Sequence, residues 1–130
     1  MSGVRSYRDL RVWQRAMDVA AATYALSRRF PRDELFGLTS QSRRAAASVA
    51  ANIAEGYGRT SRSSYAQFLR IAQGSLKELE THLLLAERVG VAPRGSTDDL
   101  LEKTDELGRM LRSLISKVQT RPVDLSAPNS

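Results

Sequence analysis

With 130 residues, no cysteine and one histidine, the chain is long enough for one domain with its own hydrophobic core. The absence of cysteine excludes a disulfide framework, a Cys-ligated zinc site and a thiol nucleophile. The formal net charge is +6. No run approaches the ~18 apolar residues of a membrane span, and the first residues lack the apolar core of a signal peptide. We therefore expect a soluble, cytoplasmic protein without membrane contact.

Glycine and proline divide the chain into four helical segments, none of which alternates apolar and polar residues as a strand would. The first helix is predicted over about residues 10–29, with Asp9 as its N-cap. Its broad apolar face favours packing against two neighbours. The face has two rows: Leu10, Trp13, Met17, Ala20 and Tyr24, and Val12, Ala16, Val19, Thr23 and Leu26. One short turn is expected over about residues 32–36.

The second helix is predicted over about residues 40–56, with Thr39 or Ser40 as its N-cap and Gly56 as a left-handed C-cap. It is rich in alanine and apolar on nearly every side, which indicates contacts beyond its own bundle. One narrow polar strip follows the helical period and consists of Gln41, Ser48, Asn52 and Glu55. The strip either lines a groove or channel, or holds buried side chains that hydrogen-bond to neighbouring helices.

The third helix is predicted over about residues 61–89 and the fourth over about 97–118, opened by Ser96 or Thr97. Each has an apolar row that steps by four and three residues. The rows are Tyr65, Leu69, Ala72, Leu76, Leu79, Leu83 and Ala86, and Leu100, Thr104, Leu107, Leu111, Leu114 and Val118. Short connections favour an all-α, antiparallel up-down four-helix bundle over residues 1–119, followed by a flexible tail at 120–130.

Two features argue for a protein that assembles but does not catalyse. Gly74 interrupts a strong helix and would let another helix approach closely, which adds to the evidence for contacts between subunits. The single histidine, His82, and the isolated carboxylate of Glu55 provide neither a metal site nor an acid pair. We therefore expect no enzymatic activity, no catalytic residues, no metal and no cofactor.

The basic residues are concentrated in the first half of the chain. Residues 1–70 contain twelve Lys and Arg against five Asp and Glu, whereas residues 71–130 contain eight against nine. Most are arginines, which bind phosphate through a forked guanidinium, so they favour a polyanionic partner. An equally open interpretation is that the sequence is simply rich in Ala and Arg and that the arginines are solvated without binding a partner.

Two groups of arginines form the predicted nucleic-acid site. Arg8, Arg11 and Arg15 are spaced to form one row at the start of the first helix. Arg59 and Arg62 belong to the loop that leads into the third helix, where free backbone N–H groups favour anions. Antiparallel packing is expected to bring both groups to the same end of the bundle. The loop is also compatible with a simple turn followed by a serine N-cap.

Several segments, in order and spacing, resemble the four-helix bundle proteins encoded by intervening sequences within bacterial 23S rRNA genes. The resemblance covers roughly residues 7–90. Its segments are YRDLRVWQ (7–14), FPRDELFGL (30–38), Gln41 with RRA (43–45), SV (48–49), NIAEG (52–56) and AQGSLKELE (72–80). It implies a ring, most often a pentamer, and kinship with the nucleic-acid-binding accessory protein of diversity-generating retroelements. In this family, the polar strip is a signature without an assigned role.

Together, these observations predict a homo-oligomer, by resemblance a pentamer, that binds RNA or DNA as an accessory protein through its Arg-rich surface. The alternative is a protein-interaction scaffold that presents arginine to an acidic protein partner. Salt-sensitive binding to nucleic acid would favour the first hypothesis.

Overall fold

The computed structural model describes residues 3–120, so the predicted tail lies outside the described residues, except for Thr120. Within this range the chain is entirely helical and has no strand, which confirms the all-α prediction. The four helices are α1 (Arg11–Ser27), α2 (Ser40–Tyr57), α3 (Arg62–Arg88) and α4 (Asp98–Thr120). None of these helices combines the length and hydrophobicity that crossing a membrane requires.

The four helices form a closed square in which each helix contacts two others. Contacts join α1 to α2, α2 to α3, α3 to α4 and α4 back to α1. Short connections reverse the chain between consecutive helices, so neighbours run antiparallel. The α2–α3 interface is the most extensive of the four and the α1–α4 interface the least. These two interfaces lie on opposite sides of the bundle.

The apolar rows predicted for α3 and α4 form most of the core. Every member of the α3 row is buried except the half-buried Tyr65, and every member of the α4 row is buried except the half-buried Leu114. Val12, Ala16, Val19 and Ile53 add the contributions of α1 and α2 to the same cluster. Heptad spacing therefore identified the core of the long helices correctly.

The α1 prediction was correct for only one of its two rows. The row that begins at Val12 is buried, with Leu26 half-buried at its end. The row that begins at Leu10 lies at the edge of the helix interface, and Met17 and Tyr24 on it are 45% and 42% exposed. The guanidinium of Arg43 on α2 lies over the Tyr24 ring, 4.7 Å from its centroid, and covers part of this exposed ring.

The predicted N-cap of α1 was wrong, whereas Thr39 occupies the N-cap position of α2 as predicted but makes no capping hydrogen bond. Asp9 belongs to a separate 3₁₀ turn (Tyr7–Asp9), where its carboxylate accepts hydrogen bonds from the backbone N–H groups of Arg5 and Ser6. Thr39 is already helical, because a 3₁₀ turn (Arg32–Glu34) and a π turn (Leu35–Thr39) lead directly into α2. Neither α1 nor α2 has a capping hydrogen bond from the side chain of its N-cap residue, and a short helical turn precedes each of them.

Gly56 is not a left-handed cap, which corrects a second boundary prediction. Among the described glycines, only Gly90 and Gly95 have positive φ, at 79° and 82°. Helix α2 continues through Gly56 to Tyr57, and a Cβ atom at Gly56 would lie 2.8 Å from the Cβ atom of Phe68 on α3. Glycine is required here because the two helices approach closely, not because the backbone turns.

The ends of α3 are as predicted, and the start of α4 is tied to α3. The Ser61 hydroxyl accepts a 3.0 Å hydrogen bond from the Ser64 N–H, and Gly90 follows the last turn. The Glu87 carboxylate accepts hydrogen bonds from the Thr97 hydroxyl and from the Gly95 N–H. These bonds, above all the one from Thr97, lower the pKa of Glu87.

Candidate nucleic-acid interface

One end of the bundle gathers the first turn of α1, the loop at 58–61, the start of α3 and the last turns of α4. We call it the basic end. Arg11 on α1 and Lys117 on α4 line one groove, and Arg62 on α3 and Gln119 on α4 line another. The expectation that antiparallel packing joins the two arginine groups at one end therefore agrees with the structure.

The arginines do not form the single row that was predicted. Arg8 lies on the 3₁₀ turn before α1, so it does not share a helix with Arg11 and Arg15. Its guanidinium lies 5.7 Å from the centroid of the Tyr7 ring. The Arg15 guanidinium lies 2.8 Å from the Glu106 carboxylate of α4 and makes an ion pair. Spacing alone could not reveal a break between two helical turns or a partner on another helix.

Arg59 is held by two contacts. Its guanidinium makes a 2.7 Å ion pair with Glu55 and lies 4.6 Å from the centroid of the Phe68 ring. An exposed ion pair is weak, so a phosphate could compete for this guanidinium. The ring contact restricts its motion, so the side chain is positioned in advance.

Arg11 and Arg62 are exposed and make no ion pair with any residue in 3–120. Arg11 lines a groove of about 530 Å³ between α1 and α4. Arg62 lines a cleft of about 390 Å³ between α3 and α4, together with Ser63 and Arg70. These two side chains are the most available of the five predicted contact residues.

Sequence reasoning missed two basic residues of this end, Arg70 and Lys117, and also Arg109, which lies midway along α4 and lines the same groove as Arg11. The charge pattern of α4 could have identified two of them. Its first half contains five acidic residues, whereas no acidic residue occurs between Leu107 and Thr120. Arg109 pairs with Asp105 on the same helix, while Arg70 and Lys117 make no ion pair within the described part of the chain.

Aromatic side chains at the basic end contact each other and the arginines. Tyr7 and Trp13 pack edge to face at 5.3 Å, and Tyr57 and Tyr65 do so at 6.2 Å. Burial raises the pKa of Tyr65, with a smaller contribution from Tyr57, so the phenol is neutral at physiological pH. None of these rings lines either basic groove, which favours contacts to the phosphate backbone over base stacking.

The polar strip of α2 follows the α2–α3 interface and is only partly buried. The Ser48 and Ser75 hydroxyls join the two helices at 2.8 Å, and the Asn52 amide donates to the backbone carbonyl and hydroxyl of Ser48. Gln41 and Glu55, at the two ends of the strip, are exposed. The strip therefore combines an interhelical hydrogen bond at its centre with solvent-exposed ends.

A polar groove of about 420 Å³ continues this strip between α2 and α3. It is lined by Gln41, Arg44, Ala45, Ser48, Glu78 and His82. The Nδ1 atom of His82 is buried without a hydrogen-bond partner in the described structure. No cluster of three metal-ligating side chains occurs within residues 3–120. The groove offers polar and charged groups without a nucleophile next to a base.

The outer surface of α2 and α3 combines small and apolar side chains. Ala47 and Ala51 on α2 and Gly74 on α3 are exposed, and a Cβ atom at Gly74 would meet no other atom within 4 Å. Exposed Ile71, Leu85 and Val89 extend this surface along α3. Within one subunit, α2 is covered by α1 and α3 but keeps this third side open.

Comparison with known proteins gives a family and a fold. The sequence model of the family described as 23S rRNA-intervening sequence protein matches residues 8–113. A crystal structure of a protein of unknown function from the S23 ribosomal protein family of Bacteroides thetaiotaomicron VPI-5482 is similar, with 25% identity and a TM-score of 0.74. The similarity covers 80% of this chain and 97% of that chain. No curated protein matches the sequence.

Proposed function

Since the chain belongs to the 23S rRNA-intervening sequence protein family, we propose that it is a non-enzymatic accessory protein that binds RNA through its basic end. The observation that carries this proposal is the convergence of basic side chains from separate segments of the chain. Arg11, Arg62, Arg70 and Lys117 come from α1, α3 and α4, are exposed, and make no ion pair among the described residues. Neutralising phosphates releases counterions, which is the main source of non-specific affinity for nucleic acid.

We also propose that the protein works as a homo-oligomer, by family resemblance a pentameric ring. The exposed Ala47, Ala51 and Gly74 support this proposal, because small side chains let a second helix approach closely. A ring would repeat the basic end in every subunit and convert weak phosphate contacts into avidity. The cytoplasm, where RNA is available, is the compartment that this function requires.

Salt dependence of RNA binding tests the first proposal. The probe is a fluorescent RNA duplex of about 25 base pairs, and its affinity is measured by anisotropy between about 50 and 300 mM salt. The quadruple variant R11A/R62A/R70A/K117A should bind more weakly. The slope of log affinity against log salt concentration should become less steep by up to ~4, since each lost phosphate contact reduces its magnitude by about 0.9.

A charge-matched variant at the opposite end controls for net charge. Arg28, Arg29, Arg32 and Arg88 are exposed and lie at the other end of the helices. R28A/R29A/R32A/R88A removes the same charge and should leave the slope close to that of the wild type. Equal effects of both quadruple variants, or no RNA binding at ~50 mM salt, would reject the basic end as the binding site.

Sedimentation velocity tests the proposed assembly. The wild-type protein should sediment as a particle near five times the 14.4 kDa chain mass. Ala51→Glu places a charge on the outer α2 surface and should dissociate the particle while leaving helix content unchanged. The control Ala21→Glu changes an exposed residue of α1 and should leave assembly intact. A wild-type monomer at micromolar concentration would contradict the proposal.

A further inference from the structure

The groove between α1 and α4 has a more extensive apolar lining than the other basic cleft, in which only Ala66 and Val118 are apolar. It is a shallow, open groove with a volume of about 530 Å³. Its apolar lining, which we call the floor, consists of Leu10, Val12, Met110 and Leu114. Its polar lining consists of Arg11, Glu106, Arg109, Ser113 and Lys117.

The rim of this groove has a surplus of positive charge. Glu106 is engaged by Arg15 at 2.8 Å, and Arg109 is engaged by Asp105. Arg11 and Lys117 remain without an ion-pair partner in residues 3–120, and both are exposed. The two available charges are therefore both cationic and lie on opposite walls of the groove, one on α1 and one on α4.

The start of α1 adds further preference for an anion. Its N-cap is Leu10, which provides no side-chain cap, and its first turn contains no acidic residue. The first backbone N–H groups of a helix have no partner within the helix, and the helix dipole is positive there. Most helices meet this requirement with their own capping or acidic side chain, whereas α1 presents Arg11 at this position.

We propose that this groove docks an acidic amphipathic helix of a partner protein. Apolar side chains spaced by three and four residues would cover the floor, and flanking carboxylates would lie beside Arg11, Lys117 and the start of α1. This occupant uses both properties of the groove, because phosphate groups can pair with the rim but cannot bury the apolar floor. A helix in a groove is a common mode of peptide recognition.

The groove lies on the side of the bundle opposite the outer surface of α2 and α3, and its proposed occupation does not depend on RNA binding. The α1–α4 interface lies opposite the α2–α3 interface in the square of helices. The inference also gives the acidic-partner hypothesis a defined location.

Two synthetic peptides test the proposal with the full-length protein. The first has about 16 residues, with Leu at spacings of three and four and Glu elsewhere, so that it forms one apolar face. The second has the same residues in an order that gives no apolar face. Fluorescence anisotropy at ~0.15 M salt should show micromolar binding of the patterned peptide and at least ~10-fold weaker binding of the reordered peptide.

Three variants locate the binding site. The charge reversals R11E/K117E should weaken binding of the patterned peptide by about 10-fold or more, since both attractive pairs become repulsive. Met110→Ser should weaken binding of the patterned peptide by about 5-fold, because it removes apolar contact area from the floor of the groove. Arg112→Glu changes an exposed residue of α4 that does not line the groove and should change the affinity less than ~2-fold. Amide chemical shifts should move around residues 10–12 and 106–117.

Specific outcomes would overturn the inference. Equal affinity for both peptides would show that binding depends on the charge of the peptide and not on its apolar face. Equal effects of R112E and R11E/K117E would show that the peptide does not bind in the groove. No binding of the patterned peptide at ~100 μM would reject docking of an acidic helix. RNA binding that depends on Arg11 and Lys117 but not on Met110, without peptide binding, would assign the rim to nucleic acid instead.

Discussion

The α2–α3 and α1–α4 interfaces join antiparallel neighbours in the same bundle, yet they are built in different ways. At the α2–α3 interface, Gly56 lies against Phe68, and the Ser48 and Ser75 hydroxyls meet at 2.8 Å. At the α1–α4 interface, long side chains such as Arg15 and Glu106 span the gap. Small side chains bring two helices into extensive contact, whereas long side chains hold them apart and leave a groove that can receive a ligand.

Truncation of apolar side chains should give the largest contrast between the two sides of the bundle. Ile53 on α2 is fully buried, whereas Leu114 on α4 is half-buried beside the groove. Ile53→Ala should lower the free energy of unfolding by ~2–5 kcal/mol because it creates a cavity. Leu114→Ala should cost about 1 kcal/mol, since water already reaches this site. Urea unfolding at one fixed protein concentration measures both, and similar losses would refute the contrast.

Two glycine substitutions test how closely α3 is approached by α2 and by α4. Gly56→Ala places a Cβ atom 2.8 Å from the Cβ atom of Phe68, so helix α3 must move. We expect a loss of ~1–3 kcal/mol in the free energy of unfolding. Gly108→Ala meets only the Cδ2 atom of Leu76, at 3.6 Å, and should gain up to ~1 kcal/mol from helix propensity. Thermal unfolding gives the sign of each change; a stabilising Gly56→Ala would disprove the close approach.

The polar strip should show a smaller effect that depends on position. Asn52→Ala removes two hydrogen bonds to Ser48 and should lower the free energy of unfolding by about 1 kcal/mol. Gln41→Ala, at the exposed end of the strip, should stay within about 0.5 kcal/mol of the wild type. Denaturant titration of both variants tests this order. Equal losses would mean that the whole strip is buried in the working form of the protein.

The ion pair across the α1–α4 interface should contribute least. Arg15 and Glu106 have side chains that are 39% and 47% exposed, so water and salt screen their attraction. Arg15→Ala should cost less than ~1 kcal/mol, and the loss should shrink further in high salt. A double-mutant cycle with Glu106→Ala isolates the pair. A coupling energy well above 1 kcal/mol would show that this pair, rather than apolar contact, holds α1 against α4.

Periodicity predicted the features that depend on one helix alone. The apolar rows of α3 and α4, the Ser61 cap and the stop at Gly90 follow from local chemistry and are present as expected. The role of Gly56 was misread because a glycine near a helix end fits either a left-handed cap or a close approach. Only the position of Phe68 on the next helix distinguishes the two.

The candidate site was predictable in outline but not in detail. Antiparallel topology places the arginine groups at one end, whereas the contacts of Arg15 with Glu106 and of Arg59 with Phe68 depend on side chains that meet only in the folded chain. Helical spacing also assigned Arg8 to α1, although Leu10 separates two different helical turns. Which arginines remain available is therefore a property of the tertiary structure.

The separation of charge along α4 has a consequence for the symmetry of an assembly. Its first half has five acidic residues and one lysine, whereas its second half has three basic residues and no acidic one, so the two ends of α4 differ in charge. Cyclic symmetry places equivalent residues on the same face. A ring of these subunits with its axis along the helices would therefore carry the cationic halves of all its α4 helices on one face and the acidic halves on the other.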